Sequence, residues 1–172
     1  MGDDPDRRKI LTCAVGGGLG LVIAVPAARL VLGPTGEQTV TTPTDPLDVG
    51  AADRLKVGGP WQKVDVVAPL VKDGWTTARD VVLGAAFVRR TADNQAQALS
   101  AVCPHLGCAV GWDGKNFLCP CHDSKFTGDG DAIAGTGPAK RGLDPLPVKI
   151  EDGRLRLTWI RYQLDTASRD KA

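Results

Sequence analysis

The chain has little histidine, few aromatic residues and almost no net charge. Of its 172 residues, 2 are histidine and 5% are aromatic, and the formal net charge is +1. A nearly neutral chain without a stripe of basic and aromatic side chains gives no reason to expect nucleic-acid binding. After the N-terminal region the sequence also lacks an amphipathic pattern long enough for a helix, which favours a fold built from strands.

Short runs of strand-forming residues follow one another along the rest of the chain. Asp113-Gly114 and Asp152-Gly153 stand between such runs, and Asp-Gly pairs favour the tight turns of β-hairpins. Residues 154–159 alternate apolar and polar side chains, as a half-buried strand does. These patterns predict an all-β, antiparallel fold. The predicted strands are Lys63–Val67, Val81–Arg90, Ala98–Val102, Asn116–Leu118, Pro147–Glu151 and Arg154–Trp159.

Both histidines and four of the five cysteines lie in two short segments. Residues 103–108 read CPHLGC and residues 119–124 read CPCHDS, so each segment has one histidine and two cysteines. Such a concentration of imidazole and thiolate donors predicts a metal site. Two cysteines and two histidines suit either a zinc ion or a two-iron, two-sulfur cluster in which two histidines replace cysteines on one iron.

The remaining two cysteines favour the cluster over zinc. A zinc ion bound by two cysteines and two histidines would leave Cys108 and Cys121 unexplained. A zinc finger also pairs cysteine with cysteine and histidine with histidine, whereas each segment here mixes the two. Zinc remains the alternative metal at this stage.

The two segments resemble the cluster-binding segments of the Rieske iron–sulfur family, in its disulfide-containing branch. The resemblance implies a [2Fe-2S] cluster with one iron bound by two cysteines and the other by two histidines. It also implies that the two further cysteines form a disulfide, which would persist outside the cytoplasm. The implied iron ligands are Cys103, Cys119, His105 and His122, and the implied disulfide joins Cys108 to Cys121.

Other positions share the family pattern, which is strong from about residue 98 to residue 159 and loose from residue 61 to residue 90. Gly137-Pro138-Ala139 resembles the proline loop that covers the cluster from a third side. Leu106 resembles the leucine that shields the cluster, and Ser124 the serine that donates a hydrogen bond to a bridging sulfide. Three residues depart from the common pattern: Pro104, Asp123 and Phe126 stand where threonine, glycine and often tyrosine occur.

The resemblance implies a Rieske-type antiparallel β domain at residues 50–162, with an inserted cluster-binding subdomain at about residues 102–142. Residues 33–49 are rich in glycine, proline and threonine, which predicts a flexible linker before the domain. The polar residues 163–172 predict a frayed tail.

An uncharged stretch near the N-terminus predicts one transmembrane helix. Residues 10–28 carry no charge, and the apolar character continues to residue 32, which is long enough to span a bilayer. Residues 7–9 read RRK, so residues 1–9 are expected in the cytoplasm. The protein would then be single-pass in the cell inner (plasma) membrane, with its β domain on the extracytoplasmic side. A cleaved signal peptide is the alternative, and the two arginines also resemble a twin-arginine export signal.

The resemblance implies the Rieske iron–sulfur subunit of a membrane cytochrome bc-type complex. This electron-transfer subunit of a quinol–cytochrome c oxidoreductase would take one electron, coupled to a proton, from quinol and pass it to a cytochrome. His122 and His105 would contact the quinol and accept the proton. The expected partners are a cytochrome b-type subunit, a c-type cytochrome and quinol, in a multi-subunit, dimeric complex.

Other members of the same family fit the chain less well. The small Rieske electron-relay subunit of arsenite oxidase remains the alternative function. The apolar N-terminal stretch argues against a soluble Rieske ferredoxin. A Rieske oxygenase is excluded because its mononuclear iron needs two further histidines, and none remains.

Phe126 predicts an intermediate or low cluster potential within the Rieske range. Hydrogen bonds to cluster or ligand sulfur stabilise the more negative, reduced state and so raise the potential. A phenylalanine lacks the hydroxyl that tyrosine would supply, and one such bond contributes about 1–1.5 kcal/mol. At roughly 59 mV per tenfold change in the equilibrium constant for reduction, the missing bond lowers the midpoint potential by about 50 mV. A midpoint potential lowered in this way would suit oxidation of a low-potential quinol such as menaquinol.

Overall fold

The computed structural model describes Lys9, residues 45–72 and residues 76–172. Within these residues the fold is all-β and antiparallel, as predicted, with ten strands in three sheets. No helix in this part of the chain is long and apolar enough to span a membrane. The predicted transmembrane segment, residues 10–32, lies outside the described residues. The strands are β1 (Leu47–Ala51), β2 (Gln62–Lys72), β3 (Thr77–Ala92), β4 (Gln95–Ser100), β5 (Gly111–Trp112), β6 (Phe117–Leu118), β7 (Lys125–Phe126), β8 (Pro145–Leu146), β9 (Val148–Glu151) and β10 (Arg154–Leu157), and a short 3-10 helix spans Ala52–Arg54.

The first sheet has the strand order β1-β10-β9. Its β9–β10 hairpin turns at Asp152-Gly153, as the sequence predicts, and both residues have positive φ angles, 51° and 71°. Aspartate and glycine tolerate this left-handed conformation better than most residues, which explains the turn. The alternation of β10 places Leu155 and Leu157 in the core and leaves Arg154 exposed.

The second sheet has the order β2-β3-β4-β8 and contains the longest strands. β2 and β3 extend beyond the predicted strands because they pair with each other from Gln62↔Val88 to Lys72↔Thr77. Gly84 in β3 leaves room for the ring of Trp159, since an added Cβ would lie 2.5 Å from that ring.

The third sheet, β5-β6-β7, is inserted in the sequence between β4 and β8. Its first hairpin turns at Asp113-Gly114, as predicted. The Oδ1 atom of Asp113 accepts hydrogen bonds of 2.7 Å from the backbone N–H groups of Lys115 and Asn116, which closes the turn. The insertion carries the two cysteine- and histidine-bearing segments: the first precedes β5, and the second connects β6 to β7.

Two separate hydrophobic cores stabilise the described β domain. The first joins the first two sheets and includes Val66, Leu157 and Trp159. The second contains Phe117 and lies beneath the inserted sheet. The Phe117 ring contacts three other aromatic rings at centroid distances of 4.5–5.7 Å. The second core also contains two of the predicted metal ligands, so the packing of the insertion and the geometry of the site depend on the same residues. The remaining members of the second core are Trp61, Phe87, Leu99, Ala101, Cys103, Val110, Cys119, Phe126 and Leu143.

Two expectations about the ends of the domain are wrong. The predicted linker, residues 33–49, extends too far, because Leu47 already pairs with Leu157 in β1 and is buried. The tail is not frayed: the Gln163 N–H donates to the Asp170 carbonyl at 2.9 Å, and the Ala172 N–H donates to the Arg161 carbonyl at 2.9 Å. A polar composition does not distinguish an exposed ordered segment from a frayed one, because the difference lies in the backbone hydrogen bonds.

Candidate metal centre

The first ligand segment is a tight turn between β4 and β5. The Gly107 N–H donates to the Cys103 carbonyl at 2.9 Å, and the Cys103 N–H donates to the Cys108 carbonyl at 2.8 Å. Gly107 has a φ of 82°, a conformation that favours glycine. The turn buries Cys103, which is 1% exposed, and leaves His105 half-buried at the surface.

The second ligand segment connects β6 to β7. The Cys119 N–H donates to the Ser124 carbonyl at 2.9 Å, which closes this loop. Asp123 has a φ of 55°, in the left-handed region where glycine is favoured and aspartate is tolerated. The loop places Cys119 inside the second core, 3% exposed, and His122 on the outer surface.

A disulfide joins Cys108 to Cys121, as the resemblance implied, and ties the two ligand segments together with a Cα–Cα distance of 6.5 Å. Cys103 and Cys119 are free thiols. The Cys119 sulfur lies within 4.8 Å of both disulfide sulfurs. These three sulfurs do not form a metal site of their own, because disulfide sulfurs are not thiolates and metal ligation by cysteine requires the thiolate.

The two histidines lie side by side at the surface. The ring centroids of His105 and His122 are 4.8 Å apart, and the ring planes are inclined by 80°. The two free thiols, in contrast, are buried in the second core. The site therefore has a buried thiol side and an exposed imidazole side.

The environment of the Cys103 thiol favours its protonated form when no metal is bound. Burial, the largest cause, and the neighbouring Cys119 thiol together raise the pKa of Cys103 to about 11. The backbone N–H groups of His105 and Leu106 donate to the Cys103 sulfur and act in the opposite direction. A metal must therefore displace a proton from this thiol when it binds.

A third loop, Gly137-Pro138-Ala139, contacts the second ligand segment, in agreement with its expected place. The Ala139 N–H donates to the Ser124 Oγ at 3.3 Å, and Ser124 is 2% exposed. Gly137 has a φ of 134°, and an added Cβ would lie 2.6 Å from the His122 carbonyl oxygen and the Ser124 nitrogen. This close approach requires glycine.

The donor set fits a [2Fe-2S] cluster with mixed ligands. Two free, buried thiols and two adjacent imidazoles are the four donors that such a cluster needs. The disulfide removes the other two cysteines from competition for the metal. Leu106, the expected shielding residue, is 58% exposed beside His105.

A buried ion pair near the site was not predicted from the sequence. Arg141 and Asp144 are 6% and 4% exposed, and two hydrogen bonds of 2.8 Å join the guanidinium to the carboxylate. These bonds raise the pKa of Arg141 above its ordinary value. Opposite charges three residues apart were the only signal, and such spacing outside a helix does not indicate burial.

Comparisons with known proteins agree with this reading of the site. The family described as the Rieske [2Fe-2S] domain matches residues 60–149. The menaquinol:cytochrome c reductase iron-sulfur subunit of Geobacillus thermodenitrificans is 32% identical over 159 residues, which cover 88% of this chain and 89% of the relative. The cytochrome b6-f complex iron-sulfur subunit of Chlorobaculum tepidum is 33% identical over 162 residues, covering 90% and 76% respectively.

The cyanobacterial plasma membrane Rieske protein PetC3 from Synechocystis PCC 6803 matches with a TM-score of 0.46 and 24% sequence identity. The match covers 66% of this chain and 99% of that protein.

Proposed function

Because the chain belongs to the Rieske [2Fe-2S] family, we propose that it is the iron–sulfur subunit of a membrane cytochrome bc-type complex. In this role it takes one electron, coupled to a proton, from quinol and passes the electron to a c-type cytochrome. A pair of surface imidazoles together with two buried free thiols supports this function most directly, because quinol oxidation needs an electron acceptor and a proton acceptor at one surface.

The four donors have two roles in this proposal. Cys103 and Cys119 hold one iron, and His105 and His122 hold the other. When bound, the [2Fe-2S] cluster supplies a one-electron redox centre. Burial of both cysteines excludes water from the thiolate side, while the disulfide between the two ligand segments keeps the segments together.

The two imidazoles are the proposed proton acceptors. A histidine that ligates iron through one ring nitrogen has a second ring nitrogen, which accepts a hydrogen bond or a proton when it is deprotonated and donates a hydrogen bond when it is protonated. His122 is the more exposed of the two and is the proposed contact for the quinol hydroxyl. His105, with its ring centroid 4.8 Å away, is the second candidate.

Two observations support menaquinol as the quinol. The relative from Geobacillus thermodenitrificans carries menaquinol in its name. Phe126 is fully buried in the same core as Cys103 and Cys119, and it offers no hydroxyl to their sulfurs. A missing hydrogen bond lowers the cluster potential, which suits oxidation of a low-potential quinol.

The proposed partners are a cytochrome b-type subunit and a c-type cytochrome in a multi-subunit, dimeric complex. The proposed location is the cell inner membrane, with residues 1–9 in the cytoplasm, residues 10–32 as the anchor and the Rieske domain outside the cytoplasm. The names of the relatives, which are subunits of such complexes, support the partners. The disulfide supports the extracytoplasmic side, because disulfides persist in oxidising compartments.

Purification of the full chain from detergent-solubilised membranes tests the function. We expect a b-type cytochrome to co-purify, and the preparation to reduce cytochrome c with a menaquinol analogue. His122→Ala should abolish this reduction. Asp152→Asn, on the remote β9–β10 turn, is the matched control and should leave it unchanged.

The same purification distinguishes the alternative function. Co-purification of a molybdenum protein that oxidises arsenite, without any b-type cytochrome, would show that the chain is an arsenite oxidase subunit. Full quinol-dependent activity in the His122→Ala protein would contradict the proposed site.

A further inference from the structure

The C-terminal segment of residues 163–166, here called the clasp, lies against the first ligand segment. The Asp165 N–H donates to the Pro104 carbonyl at 2.9 Å. The Leu164 side chain packs on Gly107, where an added Cβ would lie 3.2 Å from Leu164 Cδ1. The clasp thus covers the outer side of the turn that carries Cys103.

The other side of the clasp is bound to the end of the third loop. Lys140 Nζ donates to the Asp165 carbonyl at 2.9 Å and lies 3.1 Å from its carboxylate. The Arg141 guanidinium donates to the Thr166 carbonyl at 2.7 Å and to the Gln163 carbonyl at 2.8 Å. The buried carboxylate of Asp144 fixes that guanidinium in place. The clasp therefore joins the first ligand segment to the third loop, whereas the disulfide joins the first segment to the second.

The contact between Asp165 and the Pro104 carbonyl acts on the first ligand segment through a single peptide unit. The Pro104 carbonyl belongs to the same peptide unit as the His105 N–H, and the two groups point in opposite directions because the peptide is planar and trans. The His105 N–H donates to the Cys103 sulfur. A hydrogen bond from the Asp165 N–H to the Pro104 carbonyl therefore fixes the direction of the His105 N–H, which belongs to the same peptide unit.

We propose that the clasp is a positioning element for the metal centre, which holds the Pro104–His105 peptide so that its N–H stays directed at the Cys103 sulfur. N–H···S hydrogen bonds stabilise the additional negative charge of the reduced state. Release of the clasp weakens this bond and lowers the midpoint potential. The established features of the site do not require the clasp, since none of its residues is a ligand.

Two variants at position 165 separate the backbone donor from the side chain. Asp165 has a φ of 55°. Asn tolerates this conformation and keeps the N–H group, whereas proline has no N–H and a φ near −65°. Asp165→Asn should therefore keep the wild-type potential. Asp165→Pro should decrease the equilibrium constant for reduction at least threefold, which is about 28 mV at roughly 59 mV per tenfold change.

The potentials should be measured on the purified full chain by redox titration of the electron-spin signal, with thermal unfolding in parallel. A chain that ends at Tyr162 removes the donor without introducing proline, and it decides the question if the proline variant does not assemble. Arg154→Gln is the control for stability. It removes two exposed 2.8 Å hydrogen bonds to Asp48, between β1 and β10, and should leave the potential unchanged.

Two results would overturn the inference. One is a wild-type potential in both the Asp165→Pro chain and the shortened chain, which would leave the clasp with a purely structural role. The other is an equal shift in Asp165→Asn and Asp165→Pro, which would assign the effect to the ion pair with Lys140. Because the readout is a potential of the purified protein, neither result bears on the proposed quinol partner.

Discussion

Ser124, at the end of the second ligand segment, and Phe126, in the following strand β7, differ in the hydroxyl group that each can offer to the centre. Ser124 is buried, and its Oγ accepts a bond from the Ala139 N–H, which leaves its O–H free to donate. Phe126 is fully buried and has no donor to offer. In the family pattern, Ser124 would supply one of two hydroxyl donors to the centre, and Phe126 cannot supply the other.

Adding a hydroxyl at position 126, or removing the one at position 124, should change the midpoint potential. Phe126→Tyr adds a donor of about 1–1.5 kcal/mol and should raise the potential by roughly 50 mV. Ser124→Ala should lower it by a similar amount. Redox titration of the purified protein measures both. A wild-type midpoint near +300 mV, about the top of the Rieske range, would contradict the reasoning.

Asp123 follows His122, a proposed ligand, in the sequence, and both residues are exposed. A negative charge opposes the addition of an electron, so its removal should raise the potential. Asp123→Asn keeps a residue that tolerates the φ of 55° and should raise the midpoint by about 20 mV at low ionic strength, less at high salt. Asp152→Asn, exposed and with a φ of 51° in the distant β9–β10 turn, is the matched control. An equal shift in both variants would show that the local charge is not the cause.

At the scale of elements, the disulfide is a covalent connection between the two ligand loops. It closes a chain separation of 13 residues between Cys108 and Cys121. A bridge of this length stabilises the fold by about 2–4 kcal/mol, mainly by restricting the unfolded chain.

Removal of the bridge should give a folded protein with a labile centre. In the Cys108→Ser/Cys121→Ser double variant we expect a lower unfolding temperature, a shifted potential and faster loss of iron, because the loops can separate. Iron release to a chelator, timed for the double variant and the wild type, is the measurement. Identical release rates would show that the third loop and the clasp hold the centre without the bridge.

At the scale of the whole molecule, the chain combines a cluster-bearing domain with an N-terminal apolar stretch. We expect the full chain to stay in the membrane fraction after a carbonate wash. A chain that begins at Gly33 should be soluble and keep the wild-type midpoint potential, because both cores lie within the described β domain. A mature N-terminus near Arg29, found by N-terminal sequencing, would instead show a cleaved signal peptide.

The amino-acid sequence by itself determined the chemistry of the centre and much of the fold. Ligand identity is a property of single residues, so CPHLGC and CPCHDS were sufficient to predict a metal site, and their resemblance to the Rieske segments implied the cluster. The turns at Asp113-Gly114 and Asp152-Gly153 were predicted correctly because turn preference is a local property of two adjacent residues.

Only the tertiary structure decided which features lie in the interior and which lie at the surface. The contacts of Arg141 with Gln163 and Thr166, the pairing of the two imidazoles and the docking of Asp165 on Pro104 depend on residues distant in sequence. The clasp shows the reason most clearly. Asp165 follows Pro104 by 61 residues in the sequence, and the hydrogen bond between them exists only because packing of the domain brings the two backbones together.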